Sequence, residues 1–175
     1  MNAEELKRSF PPMVGEKPRV LILGSLPGEE SLRQQQYYAY KHNAFWPIMG
    51  KLLDFDPSLP YDDRLECLKA AGVALWDTIG AGRRKGSLDV HIRDIEPNPV
   101  ARLLAEHPSI GFIGCNGTKS HAQLKRSAPE LFAEARLTIV QLPSTSPAAA
   151  ALRFEEKLAA WRAVGDFLQK SGDPD

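Results

Sequence analysis

Residues 19–46, RVLILGSLPGEESLRQQQYYAYKHNAFW, decide how the rest of the chain is read. The run from Val20 to Leu23 is short, branched and wholly apolar, and it stops at Gly24-Ser25-Leu26-Pro27-Gly28. That pattern describes a buried strand breaking into a tight loop. Further on, Tyr37, Tyr38, Tyr40, Phe45 and Trp46 crowd around the amide of Asn43. A strand that ends in a Gly/Pro loop, followed by aromatics around one polar group, suggests a pocket for a flat polar ring such as a nucleobase.

Similar apolar runs recur at residues 73–76, 110–113 and 137–142, each rich in branched residues as strands buried on both faces should be. Helical patterns lie between them. Residues 62–71 carry Leu65 and Leu68 on one face and end at Gly72, a C-cap. Asn98 and Pro99 supply an N-cap and a first-turn proline for a helix running to about Glu106. Residues 117–126 and 153–170 complete the set, the last with Phe154, Leu158, Trp161, Val164 and Leu168 as a core stripe at helical spacing. Strand–helix alternation predicts an α/β layered domain with a mainly parallel sheet. Ligands of such sheets bind at the carboxyl ends of the strands, where the loops after Leu23, Trp76, Ile113 and Leu142 converge.

A chain of 175 residues, 43% hydrophobic and 25% charged, suits one globular domain over residues 1–175. Lys and Arg (22) balance Asp and Glu (22), which counts against a generally basic nucleic-acid surface but leaves local patches. Arg83-Arg84-Lys85 is one such patch and Lys119, Lys125 and Arg126 another; each reads equally as a solvated face. Cys67 and Cys115 have no CxxC partner, so reduced thiols in a cytoplasmic protein are expected. No apolar run approaches a membrane span and no signal-peptide core is present. His42, His91, His107 and His121 lack metal-ligand spacing, so neither metal nor cofactor is expected. Nothing demands more than a monomer, and only the first few residues and the tail from Ser171 are expected to be disordered.

The strand-end loops carry the chemistry. The loop at residues 24–28 lacks the GxGxxG spacing of a dinucleotide fold and the GK[ST] of a phosphate loop, and reads as a stiff βα turn with exposed backbone N–H groups. Residues 82–89 place the cations Arg83, Arg84 and Lys85 between glycines, as in a mobile loop beside a phosphodiester backbone. At residues 143–147 two prolines flank Ser144, Thr145 and Ser146, a rigid hydroxyl-bearing loop that suits a phosphate oxygen or simply leads into the last helix. Asn116 either caps the helix after it or aims its amide into the pocket toward a base edge; both readings stay open.

Taken in order, these segments resemble the uracil-DNA glycosylase superfamily, above all the mismatch-specific uracil/thymine glycosylases and the hypoxanthine-DNA (deoxyinosine) glycosylases. Residues 24–28 sit at its first motif, residues 38–46 resemble its aromatic Asn-Xaa-Phe-Trp segment, and residues 143–148 occupy its second motif. Leu75-Trp76-Asp77 and Gly86-Ser87-Leu88-Asp89 resemble the middle of the deoxyinosine glycosylase pattern. The resemblance implies a three-layer α/β/α sandwich around a central, mainly parallel four-stranded sheet. Two positions depart from the main branches. Leu26 stands where the mismatch-specific enzymes carry a water-holding asparagine and the uracil enzymes an aspartate, and Leu142 stands in place of the second-motif histidine. Both departures fit the hypoxanthine subgroup, in which the resemblance implies that Asn43 takes over.

On that resemblance the substrate is DNA carrying a deaminated base, with hypoxanthine favoured over uracil. Tyr38 stacks on the extruded base, Asn43 orients the water, and Asn116 with the loop Ser25, Leu26, Pro27 and Gly28 meets the base edge. Ser144, Thr145 and Ser146 hold phosphates with Arg83, Arg84 and Lys85 nearby, and Pro147 is the wedge. A uracil glycosylase of mismatched or single-stranded DNA and a catalytically inactive lesion binder are the rivals. A hydrolase acting through Ser25 lacks the G-x-S-x-G elbow.

Overall fold

The computed structural model describes residues 5–171. Its strands are β1 (Leu6–Arg8), β2 (Val20–Gly24), β3 (Val73–Asp77), β4 (Ile79–Arg83), β5 (Arg93–Pro97), β6 (Phe112–Asn116) and β7 (Thr138–Leu142). Its helices are α1 (Glu29–Gln34), α2 (Phe45–Leu53), α3 (Tyr61–Ala71), α4 (Val100–Glu106), α5 (Thr118–Ser127) and α6 (Phe154–Ser171), with short 3₁₀ turns at Asp89–His91 and Pro129–Ala133. The expected disorder of the first few residues and of the tail lies largely outside the described residues, although Ser171 closes α6.

Four parallel strands form the central sheet in the order β3-β2-β6-β7. Alternate side chains of a strand point to opposite faces, and the apolar residues divide accordingly. Val20, Ile22, Leu75 and Phe112 pack beneath Ile48 and Met49 of α2, Leu68 of α3 and Trp161 of α6. Leu21, Leu23, Ala74 and Ile113 pack against Leu103 and Leu104 of α4 and Leu124 of α5. The result is the three-layer α/β/α arrangement. The expected core stripe of α6 lies on the first face, with Trp161 fully buried and its indole N–H donating to the carbonyl of Pro143 at 2.9 Å.

The register sets the strand ends side by side: Gly24 pairs with Asp77, and Asn116 with Leu142. The third strand was expected at residues 110–113 but runs from Phe112 to Asn116. Gly114, which looked like the end of the run, lies inside it, because a Cβ there would meet Leu142 Cδ1 at 2.8 Å and Ile22 Cδ1 at 3.0 Å. The extra length carries Asn116 to the sheet's carboxyl edge.

A second sheet, antiparallel in the order β1-β4-β5, was not foreseen. Its central strand contains Gly80 and Gly82 and so looks like a loop in sequence. Gly80 is required because a Cβ would fall 2.6 Å from Asn98 Oδ1. The chain passes between the sheets through Thr78, whose backbone N–H donates to the carbonyl of Gly24 at 2.8 Å. Asn98 was expected to cap α4; instead its amide donates to Ser9 Oγ (2.9 Å) and to the carbonyl of Asp77 (2.8 Å), and Pro99 stands at the helix start. Helix α2 accommodates Pro47 because the proline sits in the first turn, where an N–H has no intrahelical acceptor.

Trp161→Ala should lower the unfolding free energy by about 3–5 kcal/mol, read from the urea midpoint. An unchanged midpoint would mean that α6 is not part of the core.

Candidate active site

A cleft of about 1000 Å³ opens at the carboxyl ends of the central strands, where the topology of a parallel sheet gathers its loops. Its floor is built from the ends of β2, β3 and β6. Asp77 is 4% exposed and sits directly against Gly24, where a Cβ would fall 2.4 Å from Asp77 Oδ1 and 3.3 Å from the Tyr38 hydroxyl. Only glycine at position 24 leaves room for both groups. Asp77 Oδ2 and the Tyr38 hydroxyl are buried with no hydrogen-bond partner. Burial, and then the negative charge of Asp89, push the Asp77 carboxyl up to about 7 against the opposing pull of Arg84. Burial and the neighbouring Asp77 likewise push the Tyr38 phenol upward, so it stays a neutral donor.

Tyr38 forms one wall. Its backbone is left-handed (φ 55°) and its ring stacks on Phe45 with centroids 4.0 Å apart. A left-handed tyrosine is uncommon and is held here by its surroundings. The preceding Tyr37 is anchored by its hydroxyl on the carbonyl of Pro11 (2.9 Å) and by its own carbonyl under the Trp46 indole (3.1 Å). Of the aromatics that crowd this segment, the buried Tyr37, Tyr38 and the half-exposed Tyr40 line the cleft, while Phe45 and Trp46 belong to the core. Asn43 also lines the cleft, and its Oδ1 accepts the Phe45 N–H at 2.9 Å. That bond orients the amide and uses one of the two lone pairs of its oxygen.

Asn116 does not cap α5, whose start is Gly117 with φ 99°. Its amide is locked face to face with Thr145: Nδ2 donates to Thr145 Oγ1 and Oδ1 accepts the Thr145 N–H, both at 2.9 Å. The carbonyl of Thr145 in turn accepts the N–H of Ala44 at 2.9 Å. Thr145, expected to hold a phosphate, is 1% exposed and joins three segments instead. Ser144 and Ser146 are part-exposed on the rim, and Pro147 is exposed beside them. Beneath the loop lies a residue the sequence reading missed, Lys157 of α6. It is 6% exposed, its ammonium donates to the Ser146 carbonyl at 3.2 Å, and burial pushes its pKa down.

The expected basic patch divides. Arg83 is exposed and ion-paired with Asp94 (3.6 Å), and Lys85 is exposed. Arg84 is corrected from a phosphate ligand to a clamp: it is 1% exposed and donates to the carbonyls of Pro27 and Gly86, tying the loop after β2 to the loop after β4. None of the three lines the cleft. The same two loops are joined by Ser25 Oγ donating to Asp89 Oδ1 at 2.6 Å and by the Glu29 N–H donating to Ser87 Oγ at 2.9 Å. Leu26 packs with Ile79 and Ile92 in a small apolar cluster and offers no polar group. Asp77 and Asp89 are site residues that the sequence reading left out. The available signal was an acidic residue closing each of the segments 75–77 and 86–89. Among the described residues, no group of His, Cys, Asp and Glu is arranged to hold a metal ion and no helix is long and apolar enough to cross a membrane.

The family model described as the uracil DNA glycosylase superfamily matches residues 11–165. A hypoxanthine DNA glycosylase of Methanosarcina barkeri is 42% identical over 115 residues, covering 65% of this chain and 73% of the relative. One of the same name from Methanosarcina acetivorans is 40% identical over 116 residues, covering 66% and 73%. A solution NMR structure of a candidate uracil DNA glycosylase from Methanosarcina acetivorans superposes with a TM-score of 0.81 at 34% identity, covering 94% of this chain and 99% of that one.

Folding favours the protonated form of Asp77, so its contribution to stability is complete below about pH 4 and is lost as the pH rises through about 7. Asp77→Asn should flatten the fall in stability across that window and raise the denaturation midpoint at pH 8. A variant that tracks the parent at every pH would show that Asp77 titrates in the ordinary carboxylate range.

Proposed function

The chain belongs to the uracil DNA glycosylase superfamily, and on that premise we propose that it excises hypoxanthine from DNA, hydrolysing the N-glycosidic bond of an extruded deoxyinosine to initiate base excision repair. DNA is the partner, and the enzyme class is the glycosylase hydrolase of its relatives. In this reading residues 1–175 form one such domain, a cytoplasmic monomer that needs no cofactor.

The observation that carries the reading is the Tyr38 ring, backed on one face by Phe45 at the side of a deep cleft. A backed aromatic is a rigid platform for a flipped base, and such stacking contributes about 1–3 kcal/mol. Asn43 orients the attacking water through its side-chain oxygen. An amide is no base, so its role is positioning and the chemistry is slow. Asn116 has spent one amide hydrogen on Thr145, and the other meets the 6-oxo group of hypoxanthine, where adenine would present a competing donor. Ser25, Leu26, Pro27 and Gly28 wall the base site. Ser144 and Ser146 take the flanking phosphates, Arg83 and Lys85 stand farther out along the backbone, and Pro147 fills the vacated stack.

Single-turnover assays on oligonucleotides carrying deoxyinosine, deoxyuridine or a G·T mismatch test this. We expect cleavage at deoxyinosine, reduced about 100-fold in Asn43→Ala with affinity kept within a few-fold. Cleavage mainly at uracil would replace the substrate, and tight binding without cleavage would make the protein a lesion binder. Tyr38→Ala should weaken binding of deoxyinosine DNA by about 1–3 kcal/mol in fluorescence anisotropy, with undamaged DNA little changed; equal losses on both would remove the stacking role.

A further inference from the structure

We propose that Asp77 is the acid of the cleft: its carboxyl group engages the ring-nitrogen edge of the extruded purine and hands that base a proton as the glycosidic bond breaks. The inference rests on the glycosylase reading and deepens it.

Three observations support it. Asp77 is the only residue of β3 whose side chain is charged, it closes the strand at the cleft floor, and it is 4% exposed. Its Oδ2 is buried without a partner. An orphaned buried oxygen costs about 1–3 kcal/mol, and native folds retain one where a ligand or an ordered water completes it. Finally, Gly24 gives up its side chain to make room for this carboxyl.

The surrounding charges favour the neutral acid. Asp89, held by Ser25, acts on Asp77 with like charge, while the phenols of Tyr37, which donates to the Pro11 carbonyl, and of Tyr38, which has no partner, are neutral. Arg84 is the one opposing cation; its Nε and Nη2 donate to the carbonyls of Gly86 and Pro27, its Nη1 is buried without a partner, and none of its nitrogens bonds Asp77. Burial dominates this balance and brings the carboxyl to about 7, the range in which an acid is both protonated and able to transfer its proton near neutrality.

The step balances. The C1′–N9 bond breaks and its electron pair passes to the purine. N7 of the base takes the Asp77 proton, so hypoxanthine leaves neutral rather than as an anion. The water held by Asn43 bonds to C1′ and releases its proton to solvent, from which the Asp77 carboxylate is reprotonated. Uracil has no ring nitrogen equivalent to N7, so the same acid selects for a purine. Asn43 and Asp77 then divide the work, one acting on the sugar and the other on the base.

The test is single-turnover excision from a deoxyinosine duplex between pH 6 and 8.5, with wild type, Asp77→Asn and Asn43→Ala. Wild type should lose rate above about pH 7, approaching tenfold per unit. Asp77→Asn keeps a hydrogen-bond donor but cannot transfer a proton. It should be slower by about 100-fold or more, nearly independent of pH, and within a few-fold of wild type in duplex affinity. Carbon-13 NMR of the Asp77 carboxyl, assigned by its loss in Asp77→Asn, should show titration near neutrality that moves when free hypoxanthine is added. An active wild type whose rate is indifferent to Asp77→Asn, or rises with pH, overturns the proposal and leaves the glycosylase reading standing. A wild type inactive on deoxyinosine overturns both.

Discussion

The site depends on one buried pair, the amide of Asn116 set against Thr145. Neither residue is charged, yet together they connect the end of β6, the loop after β7 and, through the Thr145 carbonyl, the turn that presents Asn43. Each bond is worth about 1 kcal/mol net, whereas breaking one inside the fold leaves a buried polar group unpaired at about 1–3 kcal/mol. That asymmetry makes the arrangement all or none. The amides of Asn43 and Asn116 and the hydroxyl rim hold their spacing because a single threonine spends its N–H, its carbonyl and its hydroxyl on the other segments.

The parts of the fold legible in the sequence are those whose signal is local. Val20–Gly24 reads as a buried strand from its own composition, and α6 reads from the spacing of Leu158, Trp161, Val164 and Leu168. The second sheet was hidden because Gly80 and Gly82 weaken the pattern of β4, and both are glycine for reasons that lie across the fold at Asn98 and Ile92. Arg84, Thr145 and Asn98 were misread for the same reason. A cation, a hydroxyl and an amide each look ready for a ligand until their partners, distant in sequence, come into place. Asp77 shows the converse. Its carboxylate closes a segment noted only for its family resemblance, and the Gly24 that makes room for it is brought beside it by the register.

The cleft is short of positive charge for a surface that meets a polyanion. Lys119 lines it, but the arginines of the expected patch do not, and Asp77 and Asp89 lie within. Affinity in such a site comes from stacking, shape and neutral donors more than from counterion release, so it should depend less on salt than that of a basic DNA-binding domain. It also places a premium on the extruded nucleotide itself, since intact duplex offers the site little to hold.

The order of strands in the central sheet bears on how the protein is made. β2 is synthesised early but lies between β3 and β6, and the Thr145 loop follows β7, the last strand of the sheet. Contacts this distant along the chain form late, after the entropy of closing long loops has been overcome. The floor of the cleft, assembled from strand ends, thus has no partial version on the ribosome. A half-made chain would lack the Thr145 loop that ties Ala44, so the cleft arrives only with the complete central sheet.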